Sequence, residues 1–320
     1  MARQLRINIS AYGLCKTVGC SSAFDLTRNL DEARGMLRLA KAEGADLALL
    51  PEQFALQQCP DPLRAAEPLD GPTITMLQEE AARLRMGIAA GHILEMPEGK
   101  RNSLLLIGRS GEILALYHKT YPMMEELKMG IIPGSGAQTQ ETEFGRIGFA
   151  ICFDLNFEDL RLAYRDREPD IILFSSYFPG GLQVRWWAFE TRSHVASSCV
   201  DPGSVIVNPL GRVLARAGAR NRSLTTTINL DARVFHLDGH EHRIQEAREH
   251  YGADLEIEYA EPEGVFLMSS TGDRTIRELS EKLRFESANS YFARVRSHWP
   301  GRHSASRFHP KRHSDCDLFL

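Results

Sequence analysis

Three residues of types that could act together on a carbonyl group lie far apart in this chain of 320 residues: Glu52, Lys119 and Cys152. Cys152 offers a nucleophile, Glu52 a carboxylate that can take a proton and return it, and Lys119 a compact positive charge that can face an oxyanion. A thiol with the ordinary pKa of about 8.5 is only a few per cent thiolate at neutral pH, so such a nucleophile needs the base. Each residue has a plain alternative: Glu52 as a solvated turn residue, Lys119 as a surface cation, Cys152 as an inert buried thiol.

The elements that would position them can be read from pattern. Residues 147–151 (I-G-F-A-I) are a short apolar run after Gly145, expected to be a strand buried on both faces. Asp154 and Asn156 suit a helix N-cap, Glu158 and Asp159 suit a first turn, and an amphipathic run follows over 160–164. Cys152 is therefore expected where a strand ends and a helix begins, a setting whose free N–H groups favour a thiolate and can receive an oxyanion. Residues 46–50 (D-L-A-L-L) form another buried strand, stopped by Pro51 with Glu52 next. A hairpin over 103–107 and 113–117, turning at Ser110-Gly111, leads into His118-Lys119. Helices are expected over 26–43 and 73–85, and further strands at the N-terminus, over 88–94 and over 171–174. Strands alternating with helices give a layered α/β architecture, in which ligands gather beyond the strand ends, so the three residues can converge. Tyr177 and Phe178, just past the 171–174 strand, would overhang the same mouth or simply pack.

Composition narrows the classes. With 43% hydrophobic and 25% charged residues the chain reads as a globular protein, and no linker divides its first 295 residues, so one domain is expected over 1–295 with an extension over 296–320. A net charge of −4 argues against a nucleic-acid surface, and no apolar run reaches the roughly 18–20 residues of a membrane span. The six cysteines, at 15, 20, 59, 152, 199 and 316, show no C-x-x-C spacing and fit reduced thiols of a cytoplasmic protein. His236, His240, His242 and His250 alternate with charged residues and are expected on a solvated helix, with no metal bound. The tail is expected to be flexible or to contact another copy.

At these residues the sequence resembles the nitrilase, or carbon-nitrogen hydrolase, superfamily, whose members use a Glu-Lys-Cys triad. The resemblance rests on A-D-L-A-L-L-P-E around Glu52, Y-H-K-T-Y-P around Lys119 and G-F-A-I-C-F-D-L-N-F-E around Cys152. Supporting segments run to about residue 230: N-L-D-E-A-R, N-S-L-L-L-I-G-R-S-G-E-I-L, I-I-P-G and G-S-V-I-V-N-P-L-G-R-V-L-A. Past about 235 it thins. The resemblance implies an αββα sandwich, a homodimer or higher homo-oligomer, no cofactor, and hydrolysis of an amide or N-carbamoyl (ureido) bond of a small molecule through a Cys152 thioester. It also implies a second glutamate soon after the lysine; Glu125 and Glu126 both qualify, and the spacing favours Glu126. Phe153-Asp154 after the cysteine matches amidase-like branches rather than the Trp-Glu of nitrile-cleaving ones, and places Phe153 with Tyr177 and Phe178 as substrate-pocket candidates. Trp187 and Arg192 fall on a helix expected to pack. Nitrile hydrolysis, or a silent binding protein that keeps the fold, are the competing functions.

Overall fold

The computed structural model describes residues 3–11 and 24–298. Strand β1 (Gln4–Ser10) is followed by helix α1 (Leu26–Ala42), whose apolar residues at positions 30, 33, 37 and 40 make one buried stripe. The Asp25 side chain caps it by accepting from the Arg28 N–H at 3.1 Å. Strand β2 (Leu47–Leu49), helix α2 (Pro72–Leu84), β3 (Gly87–Met96), β4 (Gly99–Ile107) and β5 (Ile113–His118) complete this half of the fold. Strands β1, β2 and β3 run parallel, while β3–β4–β5 is an antiparallel meander.

The second half repeats the plan. After helix α3 (Met124–Lys128) come β6 (Thr139–Thr142), β7 (Gly145–Ile151), helix α4 (Glu158–Arg167), β8 (Ile171–Ser176), helix α5 (Gly181–Thr191), β9 (His194–Cys199), β10 (Val205–Val207) and β11 (Val213–Arg216). Here β7, β8 and β9 are the parallel strands. Strand β12 (Ser223–Asn229) then returns to pair antiparallel with β1, giving two six-stranded sheets.

Period-two alternation sorts the side chains into layers. In the first sheet Leu47 and Leu49 point into the core between the sheets, where Phe149, Ile151, Ile171 and Leu173 meet them from the second. Ala48 and Leu50 point the other way, under α1 and α2, while Ile172 and Phe174 lie under α4 and α5 with Tyr164 and Trp187. The order is helix, sheet, sheet, helix: the expected αββα sandwich. Trp187 is buried and donates its indole N–H to the Leu155 carbonyl at 3.0 Å, and Arg192, at the end of α5, lies over Phe189.

Beyond Asp231 the chain makes a third sheet, ordered β13 (Ala232–His236), β15 (Val265–Ser270), β14 (Leu255–Ala260), with helices α6 (Glu241–Tyr251), α7 (Ile276–Lys282) and α8 (Ala288–Ser297). It has its own apolar centre, built on Phe235, Ile244, Phe266, Leu279 and Phe285. The histidine segment differs from the expected solvated helix. Only His242 and His250 lie on α6, whereas His236 stacks on Tyr291 at 4.1 Å and His240 is buried against Phe285. Their ring faces supply packing area that the charged neighbours in sequence conceal. Among the described residues no cluster of side chains could hold a metal, and no helix is long and apolar enough to cross a membrane. From residue 299 the expected extension lies outside the described residues, as do Cys15, Cys20 and Cys316.

Candidate active site

Glu52 is placed by the end of β2. The Leu50 N–H continues the ladder to Ala89 at 2.8 Å, and the Leu50 carbonyl accepts from the Ser175 hydroxyl of the facing sheet at 3.1 Å. Pro51 cannot extend the strand, and Glu52 turns inward with 1% of its surface exposed. The turn fits because Gly91 lies beneath it: a Cβ there would be 2.7 Å from both the Glu52 Cα and the Ser175 Oγ.

Lys119 follows β5. Its N–H donates to the Asn102 carbonyl and its own carbonyl accepts from Gly134, each at 2.8 Å, so the backbone is held from both sides. A Cβ at Gly134 would come within 2.1 Å of the His118 carbonyl oxygen, which is why that close approach takes a glycine. The side chain is 2% exposed. It is thus a buried ammonium and no surface cation.

Cys152 directly follows β7 and lies in the left-handed region, at φ +46°. A cysteine held there costs about 1–3 kcal/mol, a conformation that persists where surrounding structure enforces it. Glu158 and Asp159 form the first turn of α4 as expected, but Phe157 holds the cap position, and a single 3₁₀ turn, Cys152–Asn156, precedes it.

These three strand ends meet. The Lys119 ammonium lies 3.1 Å from Glu52 Oε1 and 2.8 Å from Glu126 Oε2. Asn102, wholly buried in β4, donates from Nδ2 to Glu52 Oε1 at 2.7 Å and to Glu126 Oε1 at 2.8 Å. Backbone N–H groups complete the set: Tyr177 donates to Glu52 Oε2 at 3.1 Å and Met123 to Glu126 Oε2 at 2.7 Å. Two carboxylates therefore flank one ammonium, with neutral donors on their remaining lone pairs.

The thiol is not primed as a thiolate. Burial, then the charge of Glu52, push Cys152 up to about 12, against the opposing pull of Lys119 and of hydrogen bonds from Ser176 and the Tyr177 amide. This corrects the expectation of a thiolate-favouring helix start, for the dipole of one 3₁₀ turn is small beside burial and an adjacent carboxylate. Burial also works against the Lys119 ammonium, but Glu52, Cys152 and Glu126 outweigh it and hold the group above the ordinary lysine value. The cluster favours a neutral thiol beside a firmly charged lysine.

Of the two glutamates after the lysine, Glu126 touches it and Glu125 is exposed. Tyr177 contributes its backbone to Glu52 and sets its phenol near Gln53 and Gln57, at 3.4 and 3.5 Å. Phe178 packs edge-on against Phe174, half-buried between the two core layers. Phe153 lies edge-on to Phe157, which stacks on Tyr121 at 3.7 Å, so these rings form one aromatic group beside the cysteine turn.

Two residues of the cluster are not evident from sequence. Asn102 appears there only as the first letter of a hairpin. Asp154 reads as a helix cap, yet it is fully buried, accepting from the N–H groups of Ile151 at 2.9 Å and Tyr121 at 2.8 Å and from the Tyr117 hydroxyl at 2.8 Å. It clamps the cysteine turn to the segment after Lys119. Burial raises its carboxyl to about 6, against the pull of those hydrogen bonds. An acid held above its unfolded value stabilises the fold fully below that value, and the contribution is lost as pH rises through the folded one, here from about 3.8 to about 6. Such a shift is worth about 3 kcal/mol. Asp154→Asn cannot titrate, so its stability deficit against wild type should be greatest near pH 4 and shrink by up to that amount by pH 7. Denaturant unfolding of both proteins across this range checks it; a constant deficit would remove Asp154 from the pH dependence.

The sequence profile of carbon-nitrogen hydrolases matches residues 9–234. The chain belongs to the carbon-nitrogen hydrolase family. The hydrolase is 27% identical to an omega-amidase of Bos taurus, in an alignment covering 64% of this chain and 84% of the relative. It is 26% identical to a deaminated glutathione amidase of Synechocystis sp., covering 68% and 92%. Its fold is similar to that of a CN-hydrolase superfamily protein of Xanthomonas campestris, solved with an arsenic adduct in the active site, at TM-score 0.61 and 23% identity over 78% of this chain and 96% of that one. The enzyme is thus a nitrilase-superfamily member acting on C–N bonds other than peptide bonds, and the family match ends where the third sheet begins.

Proposed function

We propose that the hydrolase cleaves an amide or N-carbamoyl bond of a small molecule through a thioester on Cys152. The observation that carries this reading is the buried ammonium of Lys119 held between the buried carboxylate of Glu52 and the partly exposed one of Glu126, beside a strained cysteine. In the first step Glu52 takes the thiol proton as the sulfur bonds to the carbonyl carbon, so no free thiolate is required. The resulting oxyanion is met by Lys119 and by the backbone N–H of Phe153. Collapse breaks the C–N bond, with Glu52 returning the proton to the departing ammonia or amine. A water molecule then gives its proton to Glu52 and attacks the thioester, releasing the acid and the thiol. Each turnover consumes one water and regenerates all three groups. Glu126 acts by holding Lys119.

The names of the two relatives support an amide over a nitrile. Phe153, Tyr177 and Phe178 are the pocket side chains of this reading. We read the protein through residue 295 as one hydrolase domain, tied across its seam by contacts such as Asn289 to Glu168 at 2.9 Å. We further read it as a cytoplasmic homo-oligomer with neither nucleic acid nor membrane as partner; exposed Leu182 and Trp186 on α5 support contact between copies.

A panel of small amides, ureido acids and nitriles assayed for ammonia release tests the function. Amides or ureido acids are expected to react at least about tenfold faster than matched nitriles, roughly 1.4 kcal/mol in the barrier. A nitrile consumed faster than its amide would move the enzyme to the nitrile-cleaving class.

A further inference from the structure

We propose that Asn102 is a positioning residue that keeps Glu52 and Glu126 both ionised around Lys119. This role deepens the function proposed above and rests on it for its catalytic consequence.

Four groups form a closed ring. Lys119 Nζ bridges Glu52 Oε1 and Glu126 Oε2, and Asn102 Nδ2 bridges Glu52 Oε1 and Glu126 Oε1. Two carboxylates sharing one cation carry a net negative charge, with the Glu52 side chain 2% and the Glu126 side chain 17% exposed. Such pairs ordinarily relieve their repulsion by taking up a proton. Asn102 supplies two N–H donors in the place that proton would occupy. A protonated acid in this ring would be a donor facing the ammonium and the amide, both of which are already donors.

The orientation of the amide has only one satisfactory sense. Turned over, its oxygen would face two carboxylates. As placed, Oδ1 is buried with no hydrogen-bond partner among the described residues. An unpaired buried oxygen costs free energy, so the side chain gives up one interaction of its own to hold two carboxylates. The same residue also fixes the lysine, because its backbone carbonyl accepts the Lys119 N–H at 2.8 Å. The β4–β5 register, with Ser103 opposite His118, brings both contacts about.

Asn102→Leu keeps approximate volume and removes the donors, and Asn102→Asp adds a third carboxylate to the ring. Both variants should lose about 10–100-fold in kcat at pH 7 with a smaller change in KM, the usual size for a lost hydrogen bond to a charged group. The acid limb of their kcat/KM profiles should move upward by about one unit or more, further for Asp than for Leu. Their melts carry a second signature that does not depend on turnover. An acid pair that binds a proton in the folded state is stabilised toward low pH, so the melting deficit of each variant should shrink by several degrees between pH 8 and pH 5. Lost activity with an unmoved acid limb, or a deficit independent of pH, would overturn the proposal and leave Asn102 a packing residue. If wild-type protein released ammonia from no substrate of the panel, the proposed function would fail, and the melt series would still decide the role of Asn102.

Discussion

Glu52→Gln is expected to slow amide turnover by about 10²–10⁴-fold, the usual weight of a general base, while making Cys152 easier to alkylate at pH 8–9. The two effects diverge because Glu52 does opposite things to the thiol at different moments. At rest its charge is the second cause, after burial, that holds Cys152 at about 12. Removing that charge leaves the pull of Lys119 less opposed, so the thiolate becomes more populated. In the proposed reaction the same carboxylate accepts the proton, and an amide cannot. Mass-mapped iodoacetamide labelling, run beside the ammonia assay, separates the roles. Should labelling slow in step with turnover, Glu52 would be activating the resting thiol and the concerted step would have to be abandoned.

Lys119→Met should be the most damaging single change to the site. Loss of the oxyanion partner should cost about 10²–10³ in rate. Among the described residues the side chain is also the only cation between two carboxylates that are 2% and 17% exposed. Breaking a buried pair by removing one partner typically costs about 3–5 kcal/mol, because the other charge is left without compensation. The double variant Lys119→Met/Glu126→Gln should therefore regain part of the lost stability and none of the lost turnover. Denaturant unfolding of both, with the corresponding Glu126→Gln single variant, gives the coupling directly. Stability equal to wild type in Lys119→Met would mean that the two acids do not depend on the ammonium, contrary to the distances.

Those distances mark the boundary of what sequence pattern conveys. The ends of β2, β5 and β7 are legible because apolar runs stop at Pro51, at His118-Lys119 and at Cys152, and strand ends on one side of a layered sheet converge. The burial of Lys119 is not legible, since a lysine after a hairpin has the same local signature whether it meets water or two glutamates. Asn102 is hidden for a related reason: its partner Glu52 is 50 positions away, and the contact exists only through the strand register. Asp154 is misread because an acid before a helical run ordinarily caps it, and only the three donors around its carboxyl show the other use. The third sheet is obscured by its surface residues, with α6 carrying just Ile244 and Ala247 as buried positions.

The division of the triad between the sheets has a consequence of its own. Glu52 and Lys119 hang from one sheet and Cys152 from the other, with Leu47, Leu49, Phe149 and Ile151 as the filling between. Reactivity is thereby tied to a gap measured across the whole interior, as the spark of a plug depends on the clearance between electrodes fixed to separate arms. A methylene lost from that filling, though remote from any reacting atom, is expected to shift the proposed base and nucleophile relative to one another, since close-packed interiors transmit strain. The interior packing is in this sense a tuning element of the enzyme, and substitutions that drift neutrally for stability are still exposed to selection through rate.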